Sequence, residues 1–317
     1  MMGRRPRSGI LVIKHGALGD FVQGFDALAS LRASFPEAHI CLLTSPPFTG
    51  LAQKTGWFDE IVTDYRRGFW HLPSLWHIRG LFARGWDRVL DLQCSRRTAA
   101  YHRLFARPFG LDWYGIAKGC SHPLPDFNGV NNAERMLITV ARAGASRHAA
   151  DLAFLAEQPL SRQLADALPH RFSLLIAGCS LAKPEKRWPA ERFAELAEAQ
   201  LAQSIQPILI GTEADREALT RIAARVPHVL NWQSRTSLSD LLLLAGQAEA
   251  IIGNDTGPTF LAARSGQPCL MVMGAATDPA MSAPLGAAAG WLKKDRIEDI
   301  SVADVLAELK NLGKKTR

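Results

Sequence analysis

The chain has no Cys-x-x-Cys pair, and its five cysteines, at 41, 94, 120, 179 and 269, stand apart from any histidines at zinc-binding spacing. This argues against a structural zinc site or a disulfide framework and suits reduced thiols in a cytosolic protein. No stretch approaches the roughly 20 uninterrupted apolar residues of a membrane span. The leucine-rich run 241–244 breaks at Gly246, Gln247 and Glu249. Asp-x-Asp is absent, so the usual paired-carboxylate grip on a metal-bound diphosphate is missing. Gly-x-Gly-x-x-Gly is absent too, which disfavours a nicotinamide enzyme. There is no repeat of solenoid period and no low-complexity segment.

What remains is an ordinary folded composition of 317 residues, 47% hydrophobic and 21% charged. That length suits two domains. The net charge of +7 is unevenly placed: residues 1–160 carry 19 Lys+Arg against 13 Asp+Glu, and residues 161–317 carry 18 against 17. A basic first half favours an anionic partner such as nucleic acid, an anionic headgroup or an acidic glycan, unless it only solubilises a surface. Arg4, Arg5 and Arg7 precede an apolar run of four residues, too short for a signal peptide, and read as a basic tail entering a first strand.

Short β-rich runs at 10–14, 39–44, 60–63 and 88–92, then at 172–177, 207–210, 250–253 and 269–273, alternate with helical periodicity. Helices are expected at 21–34, 132–143, 190–203, 213–225, 238–246 and 257–265, with a last one near 301–312. Continuous apolar strands separated by helices indicate parallel sheets covered on both faces. The fold class is α/β, with two doubly wound, Rossmann-like domains, 1–160 and 161–317.

Ligands of such sheets bind at the carboxyl ends of the strands, which singles out three loops. The first is His15-Gly-Ala-Leu-Gly-Asp20, where Asp20 is either a helix N-cap or a general base. The second is Gly178-Cys-Ser180 with Lys183, Lys186 and Arg187, cations that can meet an anion at the following helix. The third, Gly253-Asn-Asp-Thr-Gly-Pro258, offers backbone N–H groups and a helix dipole to a phosphate, or else is capped by Asp255 or Thr256. Between 65 and 86, arginines alternate with aromatics, including three of the eight tryptophans. We expect the tryptophans to pack in the core and the arginines to face out, toward a membrane interface or a glycolipid. Nucleic-acid binding is not expected, because no RRM, KH or HTH signature accompanies them.

Together these segments resemble glycosyltransferase family 9, the bacterial heptosyltransferases of lipopolysaccharide core assembly. The resemblance rests on Ile10-Leu-Val-Ile-Lys-His-Gly-Ala-Leu-Gly-Asp20, Trp86-Asp-Arg-Val-Leu-Asp-Leu-Gln93, Gly178-Cys-Ser180 with Lys186-Arg-Trp-Pro189, Asn254-Asp-Thr-Gly-Pro258, and Gly274-Ala-Ala-Thr-Asp-Pro279. It implies a GT-B fold, two Rossmann-like domains facing a cleft, with the acceptor on the first and the nucleotide sugar on the second. It also implies an inverting, metal-independent transfer from an ADP-heptose, with no cofactor, at the cytoplasmic face of the inner membrane. By resemblance Asp20 is the catalytic base. Ser180 and Lys186 meet the diphosphate, Asp255, Thr256 and Gly257 hold the donor's phosphate end, Asp215 accepts ribose hydroxyls, and Thr236 lies near the adenine. Gly19, Arg66, Arg67, Arg96 and Arg97 are the acceptor-side candidates. An alternative keeps the fold but takes a UDP- or GDP-sugar donor, and Phe260, standing where the family usually carries a histidine, keeps open a catalytically silent member that binds nucleotide or glycolipid.

Overall fold

The computed structural model describes residues 9–315; Arg4, Arg5, Arg7 and Arg317 of the basic tails lie outside them. The chain divides into two compact units, Met1–Phe154 and Leu155–Arg317.

The first unit is built on six parallel strands: β1 (Gly9–Ile13), β2 (His39–Thr44), β3 (Glu60–Thr63), β4 (Arg88–Asp91), β5 (Trp113–Gly115) and β6 (His122–Pro123), in the order β3-β2-β1-β4-β5-β6. The second repeats the plan with β7 (Phe172–Ile176), β8 (Gln206–Ile210), β9 (Leu230–Asn231), β10 (Ala250–Asn254), β11 (Cys269–Met273) and β12 (Ala289–Lys293), ordered β12-β11-β10-β7-β8-β9. Each unit therefore follows the doubly wound order 3-2-1-4-5-6, which reverses between its first and fourth strands. β1 and β7 are buried on both faces because Val, Ile and Leu run through them without alternation. Helices cover them around cores centred on Leu11, Leu43, Phe82 and Trp113 in one unit and Leu175, Phe193, Ile252 and Leu270 in the other.

Three sequence expectations change. The helix expected at 21–34 is two, Leu18–Gln23 and Phe25–Ser34, parted at Gly24. A side chain there would press on Met136 Sδ and on the Phe21 carbonyl, each 3.2 Å from the position a Cβ would take. The short strands β5, β6 and β9 and the edge strand β12 were not expected; the first three have too few residues to show a period. Of the three tryptophans between 65 and 86, only Trp86 is in the core. Trp70, two residues before helix Leu72–Phe82, is 87% exposed, and Trp76 is 65% exposed, since the helix turns Ile78, Leu81 and Phe82 inward instead. Among the described residues no helix is long and apolar enough to cross a membrane.

Close packing at the reversal point of the second sheet is testable at Gly253. A Cβ there would lie 2.2 Å from Thr259 Oγ1 and 3.0 Å from Ile176 Cβ. Gly253→Ala is expected to destabilise the protein by about 1–3 kcal/mol through overpacking, read as a lower urea midpoint; an unchanged midpoint would mean that this junction is loose.

Candidate functional site

In open α/β sheets the crevice forms where strand order reverses, at the carboxyl ends of the two strands involved. Here these are the ends of β1 and β4 in the first unit and of β7 and β10 in the second.

Lys14 follows β1 directly and is 1% exposed. Burial lowers its pKa to about 8, while Asp20 favours its charge, Arg135 opposes it, and Cys94 and Asp91 favour it. Asp20 is not the helix N-cap, because Ala17 holds that position and contributes no side-chain bond. Asp20 is the third residue of helix Leu18–Gln23, half-buried, and its carboxylate takes no hydrogen bond from a described residue. It stands free, with a buried ammonium as its counter-charge. Gly19 is buried beside it. On the same helix the Gln23 amide is buried with neither atom partnered among the described residues, and Arg135 Nε on helix Asn132–Arg142 is unpartnered too. Such atoms are paired by water or a ligand.

Next to Lys14, the buried His15 places Nε2 3.0 Å from Asp64 Oδ2, and its backbone N–H donates to Gln93 Oε1 at 2.9 Å. Asp64 follows β3 and collects Tyr101 OH (2.6 Å), the Arg66 N–H (2.7 Å) and the Arg97 guanidinium (3.2 and 3.3 Å). Burial alone would raise its pKa, but these donors and His15 hold it far below the usual carboxylate range. Burial pushes the Asp91 carboxyl up, and its Oδ1 accepts the N–H groups of Gln93 and Cys94. Sequence reading placed Lys14 and His15 in the first candidate segment but gave them no role, and it missed Asp64. Their signal was position, since each directly follows or nearly follows a strand's carboxyl end. Of the acceptor-side candidates, Arg97 is committed to Asp64 and Tyr101, whereas Arg67 and Arg96 are exposed and Arg66 is exposed at φ 53°.

In the second unit, Asn254 ties the two loops together. Its Nδ2 donates to the carbonyls of Ala177 and Gly178 at 2.8 and 3.2 Å, and its Oδ1 accepts the Trp188 N–H at 2.9 Å. This places Lys186 Nζ 2.5 Å from Asp255 Oδ2, which also accepts Thr277 Oγ1–H at 2.6 Å. Asp255 therefore does not cap the following helix, Gly257–Ala262. Thr256 occupies the N-cap but makes no side-chain cap bond, so neither residue expected to cap does so through its side chain. Thr259 Oγ1 is buried without a partner among the described residues.

Asp215 is 6% exposed, and its carboxylate is taken up by protein donors: Cys179 N–H at 3.2 Å, Thr212 N–H at 2.9 Å and Thr212 Oγ1 at 3.0 Å, with Arg187 at 3.6 Å. The close approach is possible because residue 178 is glycine; a Cβ there would lie 2.5 Å from Asp215 Oδ2. Ser180 is exposed, and Thr236 is half-buried one residue before the N-cap Ser237 of helix Leu238–Gln247. No described side-chain bond joins Ser180 or Thr236 to the Lys186–Asp255 pair. Among the described residues no three His, Cys, Asp or Glu side chains converge as a metal site would require.

Comparison with known proteins adds the following. The model of glycosyltransferase family 9 (heptosyltransferase) matches residues 75–301. The lipopolysaccharide core heptosyltransferase OpsX of Haemophilus influenzae is 30% identical over 292 residues, 84% of this chain and 78% of that protein. Lipopolysaccharide heptosyltransferase 2 of Salmonella typhimurium is 31% identical over 118 residues, so that the chain spans only 34% of that relative's length. The structure of E. coli ADP-heptose LPS heptosyltransferase II superposes with a TM-score of 0.71 at 20% identity, covering 97% of this chain and 99% of that one. The fold is thus the two-domain GT-B type.

The buried Lys14 gives this site a pH signature. Its folded pKa, about 8, lies below its ordinary value of 10.5, so between those values the unfolded chain binds more protons and stability rises with pH. Relative to Lys14→Met, the wild type is expected to gain about 3 kcal/mol between pH 8 and 10.5, with no further change below that window. Urea midpoints of both proteins across the range read this; a difference that does not vary with pH would place Lys14 in contact with solvent.

Proposed function

Because the chain belongs to glycosyltransferase family 9, we propose that it moves a heptose, or a related sugar, from an ADP-sugar to a hydroxyl of a lipopolysaccharide core or similar lipid-linked glycan. The observation that carries this reading is the Lys186–Asp255 pair, 2.5 Å apart at the carboxyl end of β10, directly before helix Gly257–Ala262. A fixed cation and a helix N-terminus at the reversal point of an open sheet are what a diphosphate leaving group requires. The donor named for the E. coli neighbour, ADP-heptose, supports the choice of nucleoside and sugar.

In this mechanism the acceptor oxygen attacks the anomeric carbon while Asp20 takes its proton. The bond from that carbon to the diphosphate breaks on the opposite side, and the configuration inverts without a covalent intermediate. Lys14 supplies the positive charge that faces Asp20. Charge gathering on the diphosphate falls to Lys186, Ser180 and the backbone at Thr256 and Gly257. Asp255 and Thr277 hold Lys186 in place, Asp215 fixes the Gly178–Cys179 turn under the nucleotide, and Thr236 lies by the adenine. The transfer needs neither cofactor nor metal in this reading, because the missing Asp-x-Asp leaves neutralisation to the lysine and the helix dipole.

In this reading the enzyme works at the cytoplasmic face of the inner membrane, a location that a lipid-linked acceptor supports. Trp70, Trp76 and Tyr65 are each exposed in the arginine-rich segment 65–86 of the first unit, with Arg79 over the Trp76 ring, which suits a headgroup region. Nucleic acid has no part in this reading.

Two measurements test it. Titration calorimetry with ADP, UDP and GDP in the presence of a chelator is expected to show selective ADP binding, and Asp20→Asn to retain that affinity while turnover falls at least about 100-fold. A preference for UDP or GDP would replace the donor, and unchanged turnover in Asp20→Asn would remove the base. Binding to vesicles containing phosphatidylglycerol is expected to weaken steeply with salt and to be lost in Trp70→Ser/Trp76→Ser; salt-independent or absent binding would remove the membrane contact.

A further inference from the structure

The first unit holds a concavity that takes in Arg96, one of the acceptor-side candidates, and whose other lining residues have no role in the transfer step described above. It has a volume of about 610 Å³ and is lined by Arg96, His102, Arg103, Arg107 and Lys118 above two alanines. That volume falls within the range of small-ligand pockets, roughly 300–1,000 Å³. The lining has four cations, and among the described residues none of them has a carboxylate within ion-pair distance.

The sequence spacing creates this concentration of charge. Helix Arg96–Tyr101 runs on through a wide π-turn, His102–Ala106, into the short turn Arg107–Phe109, and residues three, four and seven apart share one face. Arg103 and Arg107 are thus like charges one turn apart, a destabilising arrangement. Arg96 occupies the first helical position, where the positive end of the dipole disfavours a cation. Among the described residues no carboxylate pairs with these arginines to relieve the repulsion. π-Turns inside helices are themselves frequent at functional sites.

A separate observation points to a ligand. His102 is 4% exposed, sits edge-on to Trp113 at 5.2 Å and lines the cavity, yet its ring makes no hydrogen bond with a described residue. Burial and the Arg107 charge hold its pKa below the ordinary value, so at neutral pH the ring is uncharged and offers one N–H donor.

We propose that this cavity binds a phosphate monoester dianion, the group that three guanidinium forks, an ammonium and an imidazole N–H are built to hold. The phosphate is one carried by the glycan of the acceptor, an assignment that rests on the proposed function. Free inorganic phosphate is the other source of the same chemistry.

The test titrates the intact protein with inorganic phosphate, followed by calorimetry and by the NMR signals of the His102 ring. The wild type is expected to bind saturably and to shift the His102 signals. Arg103→Ala/Arg107→Ala, two exposed positions, is expected to bind roughly tenfold more weakly or worse, while Arg216→Ala/Arg221→Ala on the second unit binds as the wild type does. No saturable binding, or equal binding by the Arg103/Arg107 variant, overturns the site. In a second arm, KM is measured for the glycolipid acceptor before and after phosphatase treatment. The Arg103/Arg107 variant is expected to raise KM only for the phosphorylated form; an equal rise for both forms overturns the acceptor assignment and leaves free phosphate as the ligand. The first arm needs no turnover, so its outcome is independent of whether the glycosyl-transfer reading stands.

Discussion

Water is scarce where buried parallel strands end, and a charge placed there has to be answered by the protein itself. Removing an ion from water costs several kcal/mol even after relaxation, so each charge at these ends drags a partner into position. Lys14 draws on Asp20 and Asp91, Asp64 collects His15, Tyr101 and Arg97, and Asp255 holds Lys186 and Thr277. The loops at the reversal points take their shapes from this requirement. Asn254 and Asp215 extend it to backbone groups, tying the two loops of the second unit to each other through carbonyl and N–H bonds.

The two units meet the constraint with opposite polarity. In the first, the ammonium is buried and the carboxylate of Asp20 is left half-exposed without a hydrogen bond. In the second, the carboxylate of Asp255 is the more deeply buried partner, and Lys186 keeps about a fifth of its side chain in solvent. One arrangement presents a carboxylate and the other a cation. These are the two charges that the proposed transfer of a sugar from a diphosphate to a hydroxyl calls for.

Away from the strand ends the first unit carries a different kind of charge. Arg79 lies over the rings of Trp76 and Phe109, and Arg97 over Phe69 and Tyr101, so guanidinium planes are matched to aromatic faces. Such stacking positions a cation without neutralising it. Part of the basic excess of the first 160 residues is therefore held against aromatic rings, with Arg97 also paired to Asp64.

Much of this was legible in the linear pattern. Strands β2, β3 and β11 begin and end where the apolar runs do, and the loops after β1, β7 and β10 were identified because continuous apolar strands separated by helices admit one architecture, whose ligands bind at the carboxyl ends. The periodicity did not carry the break at Gly24, which packs close to Met136, more than a hundred residues away, nor the exposure of Trp76, which depends on which face helix Leu72–Phe82 gives to the core. Composition located the charge but not its pairing. Whether Asp255 caps a helix or binds Lys186, whether Asp215 faces solvent or the Cys179 N–H, and how far Lys14 is desolvated were decided only when distant segments met. Hydrophobic period is a local property of the chain, whereas desolvation and ion pairing are properties of the three-dimensional neighbourhood.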